Sequence, residues 1–296
     1  MVRLSKSGSG KSSLTLLRVS DEWPLALPLA AIFVVCFVAP FFVLLALSLH
    51  ADADMKTFSM AQYAKFFGDT FNLSILWSTL WLAIRATLVC LVFGYPIAWV
   101  CSRAPARWQS ALVFVVVLPI LTSVVVRTFA WIVILGREGV MNDVLRALHV
   151  VDEPVPLLFT ETGVIAVLAQ VQMPLMVLPL FATLSRIDPN LGDASSALGA
   201  GAWRTFFRVT LPLSAPGLVA GCILVFSACA TAFVTQTLIG GARLVYMPLH
   251  IYQQAIGANN WPFAATISVV FTLAVMIVLY ALNRAGRMSK AYGDGR

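Results

Sequence analysis

Six long apolar runs constrain this chain more than any other feature of its sequence. Each run exceeds the roughly 20 residues that a helix needs to cross a hydrocarbon layer. The runs cover residues 25–49, 73–101, 108–134, 161–184, 211–239 and 262–284. Backbone polar groups in lipid must be satisfied within the segment, which favours helices. We therefore predict an all-α, multi-pass integral membrane protein with six transmembrane helices.

The composition supports a membrane protein. Of the 296 residues, 60% are hydrophobic and only 11% are charged, and a soluble domain of this length could not bury so much apolar surface. The net charge of +7 is spread over separate short segments, so we expect no nucleic-acid partner. The five cysteines lie in or at the ends of apolar runs without paired spacing, and they are interpreted as small core residues.

The distribution of lysine and arginine predicts the orientation, because basic residues concentrate on the cytoplasmic side. Most of the 20 basic residues lie in the first 24 residues, near 102–107, in 185–210 and after residue 283. We therefore predict a cytoplasmic N-terminal tail (1–24), a transmembrane domain (25–284) and a cytoplasmic C-terminal tail (285–296). The loop 185–210 is then also cytoplasmic.

The loop 185–210 is a polar interruption that predicts two short helices. Asp188 can cap a helix start and Pro189 suits its first turn. Gly199 is a natural helix end, because glycine adopts the left-handed conformation at little cost.

The second predicted helix of this loop is amphipathic. It places Trp203, Phe206 and Phe207 on one side, and Arg204 and Arg208 on another. Such a helix pair could be held by a soluble partner or could lie on lipid headgroups, and the composition favours neither.

The order of residues in this loop resembles the EAA loop of the permease subunits of ABC importers. The pattern is acidic-Ala-small-x-x-Leu-Gly-Ala, followed by Phe-x-x-Val-x-Leu-Pro-x3-Pro-Gly. The matching residues are Asp193, Ala194, Leu198, Gly199, Ala200, Phe206, Val209, Leu211, Pro212, Pro216 and Gly217. Asp193 stands where the family usually has Glu, and Ser195 where it has a second Ala. The hydropathy plan extends the resemblance over the chain from the first apolar run onward.

The resemblance implies a subunit of a type I ABC importer in the bacterial inner membrane. Its implied partners are a second permease subunit, an ATPase subunit dimer, and a periplasmic or extracellular solute-binding protein. ATP and Mg would be bound by the ATPase, so no cofactor is expected in this chain. The implied ATPase-coupling residues are Asp193, Ala194, Ser195, Leu198, Gly199 and Ala200. Pro212, Pro216 and Gly217 would form the hinge of the coupling element and the entry to the next span.

Two shorter phrases suggest the cargo. Residues 124–143 and 260–265 resemble the polyamine-type permeases, particularly the subunit usually placed first of the pair, which implies spermidine or putrescine. However, Arg85 and Arg127 lie within apolar runs and would repel a polycation. No acidic residue lies deep in a run, since Glu161 is at an outer edge. A carboxylate- or phosphonate-bearing solute, an amino-acid derivative or iron(III) therefore stays an alternative.

Polar residues at span depth are candidates for the substrate pathway, because such residues usually face protein or water. The candidates are Arg85, Arg127, Gln170, Gln172 and Trp261. The alternative for the glutamines and Trp261 is hydrogen bonding between helices. The arginines could instead extend to the interface or bind carbonyl groups of a broken helix.

Two other classes of membrane protein are disfavoured. An intramembrane enzyme would need catalytic groups at depth, but His50, His149 and His250 all lie outside the apolar runs. Neither a nucleophile–base set nor a metal site can be assembled there, so no catalytic or metal-binding residue is expected. A simple pore would not need paired helices on its cytoplasmic face.

Overall fold

The computed structural model describes residues 23–51, 57–188 and 190–291. Most of the predicted tail 1–24, Pro189 and residues 292–296 lie outside the described residues. Within the described ranges the regular secondary structure is helical, apart from one isolated bridge between His50 and Phe58. The predicted all-α class is confirmed.

The helices follow the apolar runs and the short connections between them. In chain order they are α1 (Trp23–Phe33), α2 (Ala39–Ser48), α3 (Ala61–Gly68), α4 (Thr70–Arg103), α5 (Ala106–Val117), α6 (Val124–Leu135), α7 (Val140–Ala147), α8 (Glu161–Leu184), α9 (Asn190–Ala197), α10 (Ala202–Thr205), α11 (Leu211–Ala230), α12 (Phe233–Gly240), α13 (Met247–Tyr252) and α14 (Trp261–Ala291). A π-helical turn, Val34–Val38, joins α1 to α2, and another, Phe206–Thr210, joins α10 to α11.

Among the described residues, five helical segments are long and apolar enough to cross a membrane. They are Ala30–Ser48, Thr70–Arg103, Glu161–Leu184, Ala202–Ala230 and Trp261–Gly286. A sixth crossing results if the helix pair Ala106–Leu121 and Val124–Ala147 counts as one span. We call the end of this bundle that carries residues 185–201 the Gly199 end, and the opposite end the Glu161 end.

Helix α8 is the centre of the bundle and packs along both α4 and α11. Glycines make this packing close: a Cβ atom at Gly217 would lie 2.6 Å from the carbonyl oxygen of Pro179, and one at Gly221 would lie 2.8 Å from the sulfur of Met176. The G-x-x-x-G pair of α11 therefore packs against α8 of the same chain.

The third apolar run, predicted as one span over 108–134, is broken. Its two helical parts meet at residues 122–123 with a bend of 95°. Pro119 contributes no backbone donor, Thr122 donates its hydroxyl to the Pro119 carbonyl at 2.8 Å, and Ser123 has an extended backbone with ψ of 133°. Hydroxyl side chains that bond to nearby backbone compete with helix continuation, which accounts for the break.

The bounds predicted for the fifth span, 211–239, are also wrong. Its helix begins at Ala202, ends at Ala230 and is followed after a break by α12. The side chain of Gln236 is buried and donates to the carbonyl oxygen of Cys229 at 2.8 Å. It thereby satisfies an acceptor that the break releases. The predicted second short helix of the loop is thus the first part of this longer helix.

Short helices cover the Glu161 end. They are α3, which precedes the long helix α4, and α13, which follows α12. His250 of α13 is buried and donates from Nε2 to Asn72 Oδ1 at 2.8 Å. Burial lowers the pKa of His250, although the charge of Asp69 opposes this shift. The last helix continues to Ala291, so the predicted C-terminal tail 285–296 is helical over most of its length.

Candidate functional site

The helix pair predicted in the loop 185–210 is present as α9 and as α10 with the π-helical turn that follows it. Asn190 donates its backbone N–H to Asp188 Oδ1 at 2.9 Å, which is the predicted capping interaction. Gly199 has a φ of 80°. The backbone N–H of Gly199 bonds to the Ser196 carbonyl, and that of Ala200 bonds to the Ser195 carbonyl. This pair of bonds is a Schellman motif, the helix end that requires a left-handed residue.

Side-chain contacts join the two helices to each other and to the bundle. Ser195 of α9 and Thr205 of α10 share a hydroxyl–hydroxyl hydrogen bond of 2.9 Å. Phe206 packs edge-on against Tyr95 of α4, with the ring centroids 5.5 Å apart. The Tyr95 hydroxyl lies 3.0 Å from the hydroxyl of Ser214 in α11. These contacts connect the loop to both α4 and α11.

The predicted coupling residues lie together on the surface of this element. Asp193, Ala194, Leu198 and Gly199 are exposed, whereas Ser195 and Ala200 are half-buried beneath them. The side chain of Leu198 is 89% exposed. In α11, Pro212 and Pro216 are exposed and Gly217 is buried.

A cleft of about 470 Å³ contains two of the predicted pathway residues. It lies where the break at residues 122–123 meets the break at 231–232. Its lining includes Ile120, Val124, Arg127, Val171, Gln172 and residues 231–235. Arg127 is in the first turn of α6 and donates from Nη2 to the Thr122 carbonyl at 3.3 Å.

The guanidinium of Arg127 is only partly satisfied. Its Nε and Nη1 atoms are shielded from solvent and have no hydrogen-bond partner among the described residues. One nitrogen binds a carbonyl of a broken helix, which is the structural role considered for this arginine, and the side chain also borders the cleft. Its place on a substrate pathway stays a prediction. These two nitrogens lie beside a cleft whose lining also includes Gln172, Thr231 and Thr235, and their N–H groups are suited to an anion or a carbonyl group.

The other pathway candidates lie elsewhere. Gln170 accepts a hydrogen bond of 3.0 Å from Trp131 Nε1 of α6, which is the helix–helix bond considered as its alternative role. Trp261 is at the start of α14 and donates to Asn259 Oδ1 at 3.0 Å. Neither residue lines the Arg127 cleft.

The expectation that no carboxylate relieves the intramembrane arginines is wrong for Arg85. Its Nη2 atom forms an ion pair with Glu161 Oε1 at the start of α8. The two residues are 76 positions apart in the chain, so their contact depends on how α4 and α8 align. Sequence reasoning also missed Gln236, whose only signal was a glutamine inside an apolar run.

Comparison with known proteins identifies relatives of this chain, although no family model matches the sequence. The spermidine/putrescine transport system permease protein PotB of Salmonella typhimurium is 34% identical over 231 residues, covering 78% of this chain and 80% of the relative. PotB of Haemophilus influenzae is 33% identical over 214 residues, covering 72% of this chain and 75% of the relative. The molybdenum transport system permease protein ModB of Azotobacter vinelandii is 30% identical over 218 residues, covering 72% and 95%.

Solved structures share the fold. A bacterial ABC transporter that imports the acidic polysaccharide alginate has a chain that matches with a TM-score of 0.72 at 17% identity, covering 91% of this chain and 97% of that one. A chain of the MetNI methionine ABC transporter matches with a TM-score of 0.52 at 18% identity, covering 74% and 94%.

The fold, the helix pair and the relatives define one class: the multi-pass permease subunit of an ABC importer. The chain belongs to this family, and within it to the group of PotB.

Proposed function

We propose that this permease translocates a polyamine such as spermidine or putrescine across the bacterial inner membrane. The observation that carries the proposal is the 34% identity to PotB over 78% of the chain. The phrases at residues 124–143 and 260–265 support it, because they resemble polyamine-type permeases independently of the coupling loop.

The proposed assembly contains a second permease, two ATPase subunits and an external solute-binding protein. The ATPase binds ATP and Mg, and this chain performs no catalysis. Both chain termini and the Gly199 end face the cytoplasm, as the excess of basic residues there favours. The Glu161 end then faces the binding protein that delivers the cargo.

Closure of the ATPase dimer would move the exposed surface around Leu198. The α9–α10 pair behaves as one rigid unit because its turn is fixed by the Gly199 Schellman motif and its helices are joined through Ser195 and Thr205. The Phe206–Tyr95 and Tyr95–Ser214 contacts pass that movement to α4 and α11. Rocking of these spans would then open the permease to one side of the membrane at a time.

Reconstituted transport tests this proposal. The chain is co-expressed with its neighbouring permease, ATPase and binding protein, purified, and inserted into proteoliposomes. We expect ATP-dependent uptake of radiolabelled spermidine or putrescine that requires the binding protein. Absence of uptake from an assembled complex that hydrolyses ATP in response to its loaded binding protein would contradict polyamine cargo and leave the importer class intact.

A second candidate cargo is an anion, favoured by the partly satisfied guanidinium of Arg127 in its cleft. A cation would be repelled there, whereas a carboxylate or oxyanion would satisfy the free donors. The same proteoliposomes therefore receive the binding protein together with molybdate or a small carboxylate in place of the polyamine. Stimulation of ATP hydrolysis by one of these anions, without stimulation by spermidine, would favour the anionic cargo.

A further inference from the structure

We propose that Glu161 and Trp81 form an entry site for a primary ammonium group of the cargo, and that Arg85 occupies this site until the cargo displaces it. This inference rests on the proposed polyamine function. It assigns a role to the ion pair at the Glu161 end, which the coupling mechanism does not use.

The geometry around Arg85 is that of a cation site with its own cation in place. The guanidinium pairs with the Glu161 carboxylate. Its Cζ atom also lies 5.6 Å from the centroid of the Trp81 ring, within the range of a cation–π contact. Trp81 is in turn stacked on Trp77, with centroids 6.2 Å apart and ring planes 6° from parallel. A carboxylate beside an aromatic face is what an alkylammonium group requires.

The bound arginine is poised to leave. The side chains of Arg85 and Glu161 are 33% and 38% exposed, and partly exposed ion pairs contribute little net stability. One nitrogen of Arg85 reaches Glu161, while its Nε atom is shielded from solvent and has no partner among the described residues. A compact ammonium with three donors can replace a guanidinium that is held through one nitrogen.

The position of the pair suits the first contact with cargo. Glu161 begins α8 at the end of the bundle opposite Gly199, where the binding protein is proposed to dock. Trp77 and Trp81 precede Arg85 by two turns and one turn of α4, and they are 67% and 44% exposed. Their indole faces can pack on the methylene chain of a polyamine while Glu161 binds its ammonium group.

The proposal predicts opposite effects of neutralising the two partners. In the proteoliposome assay, with varied concentrations of polyamine-loaded binding protein, Glu161→Gln is expected to raise KM about tenfold or more, because a charge-assisted hydrogen bond to the cargo is lost. Arg85→Gln is expected to lower KM about two- to fivefold, because a competing ion pair is removed. A purely structural ion pair would give losses of the same sign in both variants.

A charge control comes from the same end of the bundle. The ammonium nitrogen of Lys65 lies 4.3 Å from the centroid of the Phe263 ring. Lys65→Gln therefore also removes a positive charge and a cation–π contact, but this charge is not paired with Glu161. We expect its KM to equal that of the wild type. A KM lowered as in Arg85→Gln would mean that the effect is general electrostatics and would overturn the proposal.

Further outcomes are equally decisive. If the Glu161→Gln variant fails to assemble, the KM of the Arg85→Gln variant alone tests the proposal. A lowered KM supports the proposal, and an unchanged or raised KM overturns it. Polyamine uptake by the wild type is measured first. Absence of this uptake would contradict both the proposed function and this inference. If the wild type takes up polyamine, the KM values of the variants test this inference alone.

Discussion

Replacing Gly199 with valine is expected to reduce ATP-dependent uptake about five- to thirtyfold while leaving the chain folded in the membrane. The left-handed conformation costs an L-residue roughly 1–2 kcal/mol, which corresponds to about that change in a two-state population. No atom lies within 4 Å of a Cβ built at Gly199, so the expected effect arises from the backbone alone. Uptake is measured in proteoliposomes at equal permease content.

A control at the same position separates backbone strain from added bulk. Asparagine tolerates the left-handed region better than valine, so Gly199→Asn should keep most of the uptake. Equal damage from the two substitutions would assign the effect to the side chain and would contradict the role of the Schellman turn. Normal uptake by Gly199→Val at wild-type abundance would contradict the coupling role itself.

Replacing Gly217 with alanine is expected to lower the thermal midpoint and the abundance of the folded permease. The new methyl group would meet the Pro179 carbonyl oxygen at 2.6 Å. That oxygen already accepts a 2.9 Å hydrogen bond from Thr183 and belongs to the central helix α8. Overpacking of this kind typically costs about 1–3 kcal/mol, and a backbone atom cannot move away as a side chain can.

Gly192→Ala is the matched control for this substitution. Gly192 is also within a helix, but no atom lies within 4 Å of a Cβ built there, and alanine is intrinsically better in helices than glycine. We expect this variant to equal or exceed the wild type in detergent thermostability. Similar thermal midpoints for the two alanine variants would contradict the close contact between α8 and α11.

The sequence predicts features that depend on local chemistry. The apolar runs predict the spans because lipid leaves the backbone few alternatives. The helix end at Gly199 follows from one residue and its neighbours, and the observed φ and hydrogen bonds agree with it. The position of the α9–α10 pair between two spans is also predictable, because the pair lies in a polar interruption between two apolar runs.

Features that depend on alignment between helices were not predictable from the sequence. The breaks near residues 122 and 231 interrupt runs whose hydropathy remains high, and only Pro119 and a few hydroxyl residues mark them. The contact between Arg85 and Glu161 needs a particular register of α4 on α8. The cleft around Arg127 requires both breaks to lie at the same level of the bundle.

We expect the exposed surface around Leu198 to contact an ATP-hydrolysing partner on the cytoplasmic side. Cysteine is introduced at Leu198 or, at the opposite end, at Leu148, which is 67% exposed. The background carries Cys36→Ser, since Cys36 is exposed and the other four cysteines are buried. We predict that L198C crosslinks to the ATPase subunit and resists a membrane-impermeant thiol reagent in spheroplasts, whereas L148C reacts with it. Labelling of L198C from outside, with no crosslink to the ATPase, would contradict both the coupling role of this surface and its cytoplasmic location.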